Sequence, residues 1–246
     1  MAKVVDAIGP LPDDTFLEIG PGRGALTAAL APRVRRVIAV EIDRDLAAAL
    51  PTRVPANVRL VTGDILDVDL AGLLRDEPSP VRVAGNLPYN VSSPILFRLL
   101  EAADDGRRFR DAVLMLQKEV AERLVAAPGS DGYGALAIQV QLLADVDRLL
   151  ALPPGAFRPP PKVQSALVRL RFRAAAADVG DRAAFARLVR GLFQRRRKTL
   201  LNALAPLVGP SGRSAGQILE QLALNPSRRP ETLSIGDMAR LAGAVL

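Results

Sequence analysis

Four consecutive residues, Asn86-Leu87-Pro88-Tyr89, combine a side-chain amide oxygen, a backbone carbonyl whose direction is set by the following proline, and an aromatic ring. Two oxygen acceptors beside a flat face suit an amine attached to a planar heterocycle. The lone pair of such an amine is delocalised into the ring, so it attacks an electrophilic methyl poorly until acceptors hold its N–H groups and favour a more tetrahedral nitrogen. Stacking of an extruded base on Tyr89 would fix the ring meanwhile. No general base is needed, because the nitrogen gives up its proton after attack. That suits a chain with no His and no Cys, a composition that excludes Ser-His-Asp hydrolysis, zinc deamination and thiolate catalysis. An ordinary turn after a strand is the other reading of the same four residues.

Three further signals precede this segment. Glu18-Ile19-Gly20-Pro21-Gly22-Arg23-Gly24-Ala25 stands where a β-branched run gives way to a helical period, so its glycines permit a tight turn with room for a ligand. Read as Gly20-x-Gly22-x-x-Ala25 it fits a dinucleotide fingerprint; read as Glu18-x-Gly20-x-Gly22-x-Gly24 it resembles the first motif of class I methyltransferases. About 20 residues on, Glu41 closes a second apolar run, where a carboxylate can accept from ribose hydroxyls. Asp43 could serve instead, and either could cap the next helix. Asp64 ends a third run after Gly63, offering a carboxylate to an adenine amine and the neighbouring Ile65 to the ring face; Asp64 could equally be an N-cap.

The segment from Asn86 to Tyr89 resembles the (Asn/Asp)-Pro-Pro-(Tyr/Phe) motif of amino-methyltransferases. With Leu116 to Leu124, Tyr133-Gly134, the run Pro153 to Ala166 containing Pro159-Pro160-Pro161-Lys162-Val163-Gln164-Ser165, and Gln194 to Asn202, the chain is similar to the KsgA-type ribosomal RNA adenine dimethyltransferases along its length. The resemblance implies methyl transfer from S-adenosylmethionine to the N6 amines of two adjacent adenosines in the 3′-terminal hairpin of small-subunit (16S) ribosomal RNA, during subunit biogenesis. It implies cofactor contacts from Gly20, Gly22, Glu41, Asp64, Ile65 and Asn86. The catalytic set would be Asn86, Leu87, Pro88 and Tyr89, with Phe157 as a second stacking ring, although a Phe beside a proline cluster is also a common core residue. Family members carry a basic segment with a Gln-Asn/His-Phe-Leu motif ahead of the first full helix, and Met1 to Ala7 hold none of it, so the contacts to the methionine end are expected to be incomplete within these residues.

These groups need a scaffold. The first 120 residues alternate short aliphatic runs with segments of helical period, which predicts a parallel α/β sheet. Strands are expected at Thr15 to Ile19, Val37 to Val40, Val58 to Val61, Val81 to Ala84, Val113 to Leu116, Val146 to Leu152 and Ser165 to Phe172, with helices near Ala25 to Ala31, Asp45 to Leu50 and Pro94 to Ala102. The expected fold is a Rossmann-like α/β domain of the class I S-adenosylmethionine-dependent methyltransferase type, with a seven-stranded, mostly parallel sheet over residues 1–175. After the alanine run at 174–177 no strand-like run follows, and residues 176–246 are expected to form a small all-α RNA-binding domain, its last helix opened by a capping box of Ser234 and Asp237.

Charge divides the same way. Residues 1–150 carry 17 basic and 21 acidic side chains, a balance of −4, and residues 151–246 carry 16 and 5, a balance of +11. Such asymmetry points to a polyanion partner. The candidate RNA-binding cations are Lys118, Arg158, Lys162, Arg195, Arg196, Arg197 and Lys198, the last four expected to project from a helix, with Arg169, Arg171 and Arg173 adding to the bias. The partner implied is small-subunit ribosomal RNA within a pre-small-subunit particle, met by a cytoplasmic monomer with no membrane span and no metal. Three rivals remain on the sequence: a macrolide-resistance type methyltransferase of large-subunit RNA, a non-catalytic ribosome assembly factor, and a nicotinamide oxidoreductase. The last leaves Asn86 to Tyr89 and the basic tail unused.

Overall fold

The computed structural model describes residues 1–50, 54–103, 107–156, 163–209 and 213–245. Its strands are β1 (Thr15–Ile19), β2 (Arg36–Glu41), β3 (Val58–Thr62), β4 (Val81–Asn86), β5 (Phe109–Gln117), β6 (Ala144–Leu152) and β7 (Ser165–Phe172). Its helices are α1 (Ala2–Ile8), α2 (Ala25–Leu30), α3 (Arg44–Ala49), α4 (Leu70–Leu73), α5 (Ser92–Ala102), α6 (Lys118–Leu124), α7 (Ala135–Leu143), α8 (Arg182–Gln194), α9 (Leu200–Leu204), α10 (Ala215–Gln221) and α11 (Ile235–Val245).

The strands form one seven-stranded sheet in the order β3-β2-β1-β4-β5-β7-β6. The first five run parallel, and β7 lies antiparallel between β5 and β6. All five residues of β1 are buried, including Thr15 and Glu18, as a central parallel strand covered on both faces requires. One face is closed by Val4, Val5 and Ile8 of α1 and Leu26 and Leu30 of α2, packed with Phe16, Val37, Ala39, Ala84, Val113 and Met115 of the strands. Chain order reverses between β1 and β4, so a crevice opens at the carboxyl ends of those two strands.

At the opposite end of β4 the buried Arg82 guanidinium holds Asp111 at 2.7 Å and Asp14 at 2.9 Å, and donates to the Ile8 and Gly9 carbonyls. It satisfies carbonyls left open at the end of α1 and binds that helix to the sheet.

The chain divides into two compact units, residues 1–121 with 144–174, and residues 122–143 with 175–246. The boundary after Ala174 lies beside the one expected at 175. Residues 122–143, expected in the first domain, instead join the second unit. Within it, the Tyr133 hydroxyl donates to the Leu233 carbonyl at 3.0 Å and the Tyr133 ring meets Phe193 edge-on. Phe185, Leu188, Val189 and Leu192 form the buried stripe of α8 at helical spacing. Ser234 and Asp237 exchange both capping hydrogen bonds at the start of α11.

The basic run departs from expectation. Helix α8 ends at Gln194, and Arg195, Arg196, Arg197 and Lys198 occupy an exposed turn before Thr199 caps α9. Four adjacent cations repel one another, and a turn spreads them while Thr199 reopens the helix. Arg169, Arg171 and Arg173 also differ from an uncommitted basic surface. Arg169 donates to the Ala7 and Ile8 carbonyls, Arg171 pairs with Asp147 at 2.6 Å, and Arg173 pairs with Asp145 at 2.8 Å.

Candidate active site

Strand register assembles the crevice. Ile19 is paired with Val40 on one side and Gly85 on the other, Glu41 with Thr62, and Asn86 with Met115. Backbone bonds carry the ladder past the strand ends: Gly20 N–H donates to Val40, Gly63 N–H to Glu41, and Leu87 N–H to Met115. Asp64, Glu41, Gly20 and Asn86 therefore follow one another across the tips of adjacent strands, whose usual separation is about 4.8 Å.

Gly20, Gly22 and Gly24 have φ of 64°, 57° and 80°, a conformation glycine reaches without a Cβ clash. A Cβ built on Gly20 or Gly22 meets nothing within 4 Å, so the loop presents bare backbone to open space. The Glu41 carboxylate, 5% exposed, accepts from Gly22 N–H at 2.8 Å and from Asp43 N–H at 3.0 Å. It thus ties the glycine loop to the tip of β2, and each oxygen keeps a lone pair for a hydroxyl group. Asp43 accepts from Asp45 and Leu46 N–H as the N-cap of α3.

Asp64 is half-buried and accepts from Leu66 N–H at 2.9 Å, closing a turn rather than opening a helix. Ile65 is packed away at 6% exposure. Ile42, which sequence reasoning missed, is 64% exposed immediately after Glu41. An exposed isoleucine beside a strand-tip carboxylate can offer an apolar face to a flat ring, and its signal in the sequence is an apolar residue continuing β2 past its polar end.

Glu18 opens the glycine motif. It is 1% exposed, and burial raises its carboxyl from an ordinary 4.5 to about 7, with the Glu41 charge adding to the rise. Thr27 of α2 opposes the shift, though neither Glu18 Oε2 nor Thr27 Oγ1 completes a hydrogen bond of regular geometry.

Asn86 and Pro88 are exposed, Leu87 is 1% exposed and Tyr89 is half-buried. The buried Leu87 side chain and its N–H bond to Met115 anchor the segment, which leaves the Asn86 amide outermost. The Tyr89 hydroxyl lies 3.0 Å from Ser165 Oγ. Lys118 is exposed at the first position of α6. Phe157, Arg158 and Lys162 lie outside the described residues. The first unit therefore brings together Gly20, Gly22, Glu41, Asp64 and Asn86 to Tyr89, and Arg195 to Lys198 belong to the second.

An open glycine cradle, a carboxylate anchored to it, an exposed aliphatic face and an exposed amide at the reversal of the sheet fit a nucleoside-bearing cofactor with a reacting amine beside it. Comparisons with known proteins agree. Among curated relatives, the ribosomal RNA small subunit methyltransferase A of Geobacter metallireducens is 44% identical over 251 residues, covering 100% of this chain and 90% of that protein. A solved dimethyladenosine transferase from Plasmodium falciparum superposes with a TM-score of 0.81 at 28% identity, over 97% of this chain and 92% of that one. The 23S rRNA methyltransferase ErmE gives 0.69 at 25% identity, over 99% and 96%. The fold is that of a class I methyltransferase. Residues 1–242 match the ribosomal RNA adenine dimethylase family, and the chain belongs to it.

Proposed function

We propose that this protein transfers methyl groups from S-adenosylmethionine to the N6 amines of two adjacent adenosines in the 3′-terminal hairpin of small-subunit ribosomal RNA. The observation that carries the reading is the exposed Asn86 amide at the tip of β4, one strand from the glycine cradle tied to Glu41. The small-subunit assignment is supported by relatives of that name that are 41–44% identical over 98–100% of this chain.

Each residue has a defined task. Gly20 and Gly22 let the backbone approach the cofactor, Glu41 accepts from its ribose hydroxyls, and Asp64 accepts from its adenine amine. Ile42 covers the ring. When bound, S-adenosylmethionine supplies an electrophilic methyl on a positively charged sulfur. The Asn86 side-chain oxygen and the Leu87 carbonyl accept the N–H groups of the target amine, and Tyr89 takes the face of the extruded base. Held by these acceptors, the target nitrogen would be the nucleophile toward that methyl and would then release its proton to solvent. The exposed cations of Arg195 to Lys198, with Lys118, contact phosphates.

The enzyme is further proposed to act as a cytoplasmic monomer on a partly assembled small subunit; no described helix is long and apolar enough to cross a membrane. Radiolabelled methyl transfer into immature small subunits, compared with free large-subunit RNA, tests the substrate. Label confined to large-subunit RNA overturns it. Asn86→Ala is expected to lower methyl transfer by roughly 10²-fold or more while RNA affinity persists. Equal loss of both would make Asn86 a structural residue.

A further inference from the structure

We propose that Ser165 is a positioning residue for methyl transfer, acting by fixing the ring of Tyr89; this rests on Tyr89 being the stacking face for the target base. Tyr89 stands three residues beyond the carboxyl end of β4, on a segment held at its near end by the Leu87 N–H bond to Met115 of β5. Its far end reaches past β5 to β7, where the phenol oxygen meets Ser165 Oγ at 3.0 Å. Ser165 is 3% exposed and opens β7, in register with Gln117 of β5 and Leu152 of β6. Strands on both sides therefore immobilise it.

The backbone of Tyr89 is held as well, since the Ser92 hydroxyl donates to its carbonyl at 3.3 Å. A half-buried ring tied only through its backbone still changes rotamer freely. A second tether at the phenol oxygen, 76 residues away in sequence, removes that freedom before any base arrives. The ring then stays aligned with the Asn86 and Leu87 acceptors once the base is bound, so the tether favours the reactive geometry rather than substrate capture. Ser165 touches neither reactant; its effect passes through the tyrosine.

A double-mutant cycle tests the coupling in the full-length protein, with small subunits lacking the modification as substrate and S-adenosylmethionine saturating. Ser165→Ala and Tyr89→Phe each delete the same hydrogen bond, and Tyr89→Phe does so without opening a cavity. Each is expected to lower kcat roughly 2- to 12-fold, the range of one net hydrogen bond, with KM for the particle and cofactor affinity nearly unchanged. The double variant should be no slower than either single one. Multiplicative losses, or full activity of Ser165→Ala beside an inactive Tyr89→Ala, overturn the Ser165 proposal alone. Full activity of Tyr89→Ala overturns the stacking role and the Ser165 proposal together.

Discussion

Glu18 sits where a parallel strand wants an aliphatic side chain, and its environment holds the proton far longer than water would. The folded carboxyl titrates near 7 against an ordinary 4.5. Because the folded value is the higher one, the native state keeps its full stability below about pH 4.5. It loses stability as the pH rises toward 7, since the unfolded chain ionises first. Above that the native state carries a constant penalty of roughly 3 kcal/mol, from the 1.36 kcal/mol that one pKa unit represents. Glu18→Gln removes the titration and keeps the shape. Its urea midpoint relative to the parent protein should therefore rise between pH 4.5 and 7.5 and level off beyond. Parallel midpoints across that window would mean that Glu18 is ionised at no unusual cost. The neighbouring Glu41 adds to the rise, so Glu41→Gln should lower the pH at which the effect develops.

At the scale of elements, the site depends on how closely β1 and β4 approach. A Cβ at Gly85 would lie 2.7 Å from the Ile19 carbonyl oxygen and 3.3 Å from the Ile19 side chain, and backbone at the centre of a sheet cannot yield. Gly85→Ala is expected to cost about 1–3 kcal/mol and to weaken S-adenosylhomocysteine binding, because it displaces Asn86 from Gly20. Gly20→Ala meets open space and bears only the left-handed backbone penalty of roughly 1–2 kcal/mol. Calorimetry and thermal melts separate them, and an undisturbed Gly85→Ala would show that the two strand tips move independently. The strands were legible in the sequence because runs such as Val37 to Val40 must be apolar on both faces. β1 and β7 end where expected, whereas others reach further, Phe109 to Gln117 against Val113 to Leu116, since ladder hydrogen bonds form wherever backbone is in register, whatever the side chain. The positions of Glu41 and Asp64 at strand tips were legible for the same reason: a charge that ends a buried run marks where a strand leaves the sheet. Less was visible where tertiary packing decides. The seven residues of α1 are stable against the sheet under the Arg82 and Arg169 caps, and residues 122–143 joined the helical unit through Tyr133, a partner about 100 residues distant. The tether from Tyr89 to Ser165 belongs to the same class, since each residue lies in its own sequence motif and only the fold makes them neighbours.

For the whole molecule, charge and chemistry are assigned to different parts of the chain. The acceptors and the glycine cradle lie in the first unit, whereas Arg195, Arg196, Arg197 and Lys198 stand together on an exposed turn of the second. Phosphate binding by such a turn is a counterion-release equilibrium, and each neutralised phosphate steepens the dependence of log affinity on log salt by about 0.7–0.9. Replacing the four by Ala takes the net charge from +7 to +3. If all four meet phosphates, the slope should flatten by about 3, with the affinity loss largest in dilute salt and small where the parent interaction is already screened. Cofactor affinity should not move, and methyl transfer at saturating RNA should stay within a few-fold of the parent rate. Asn86→Ala should show the converse pattern, an unchanged salt slope and lost transfer. Filter-binding titrations at several salt concentrations with both variants separate the two contributions. A quadruple variant whose slope equals that of the parent would remove the turn from the RNA interface, and the excess positive charge of the C-terminal residues would then need another partner.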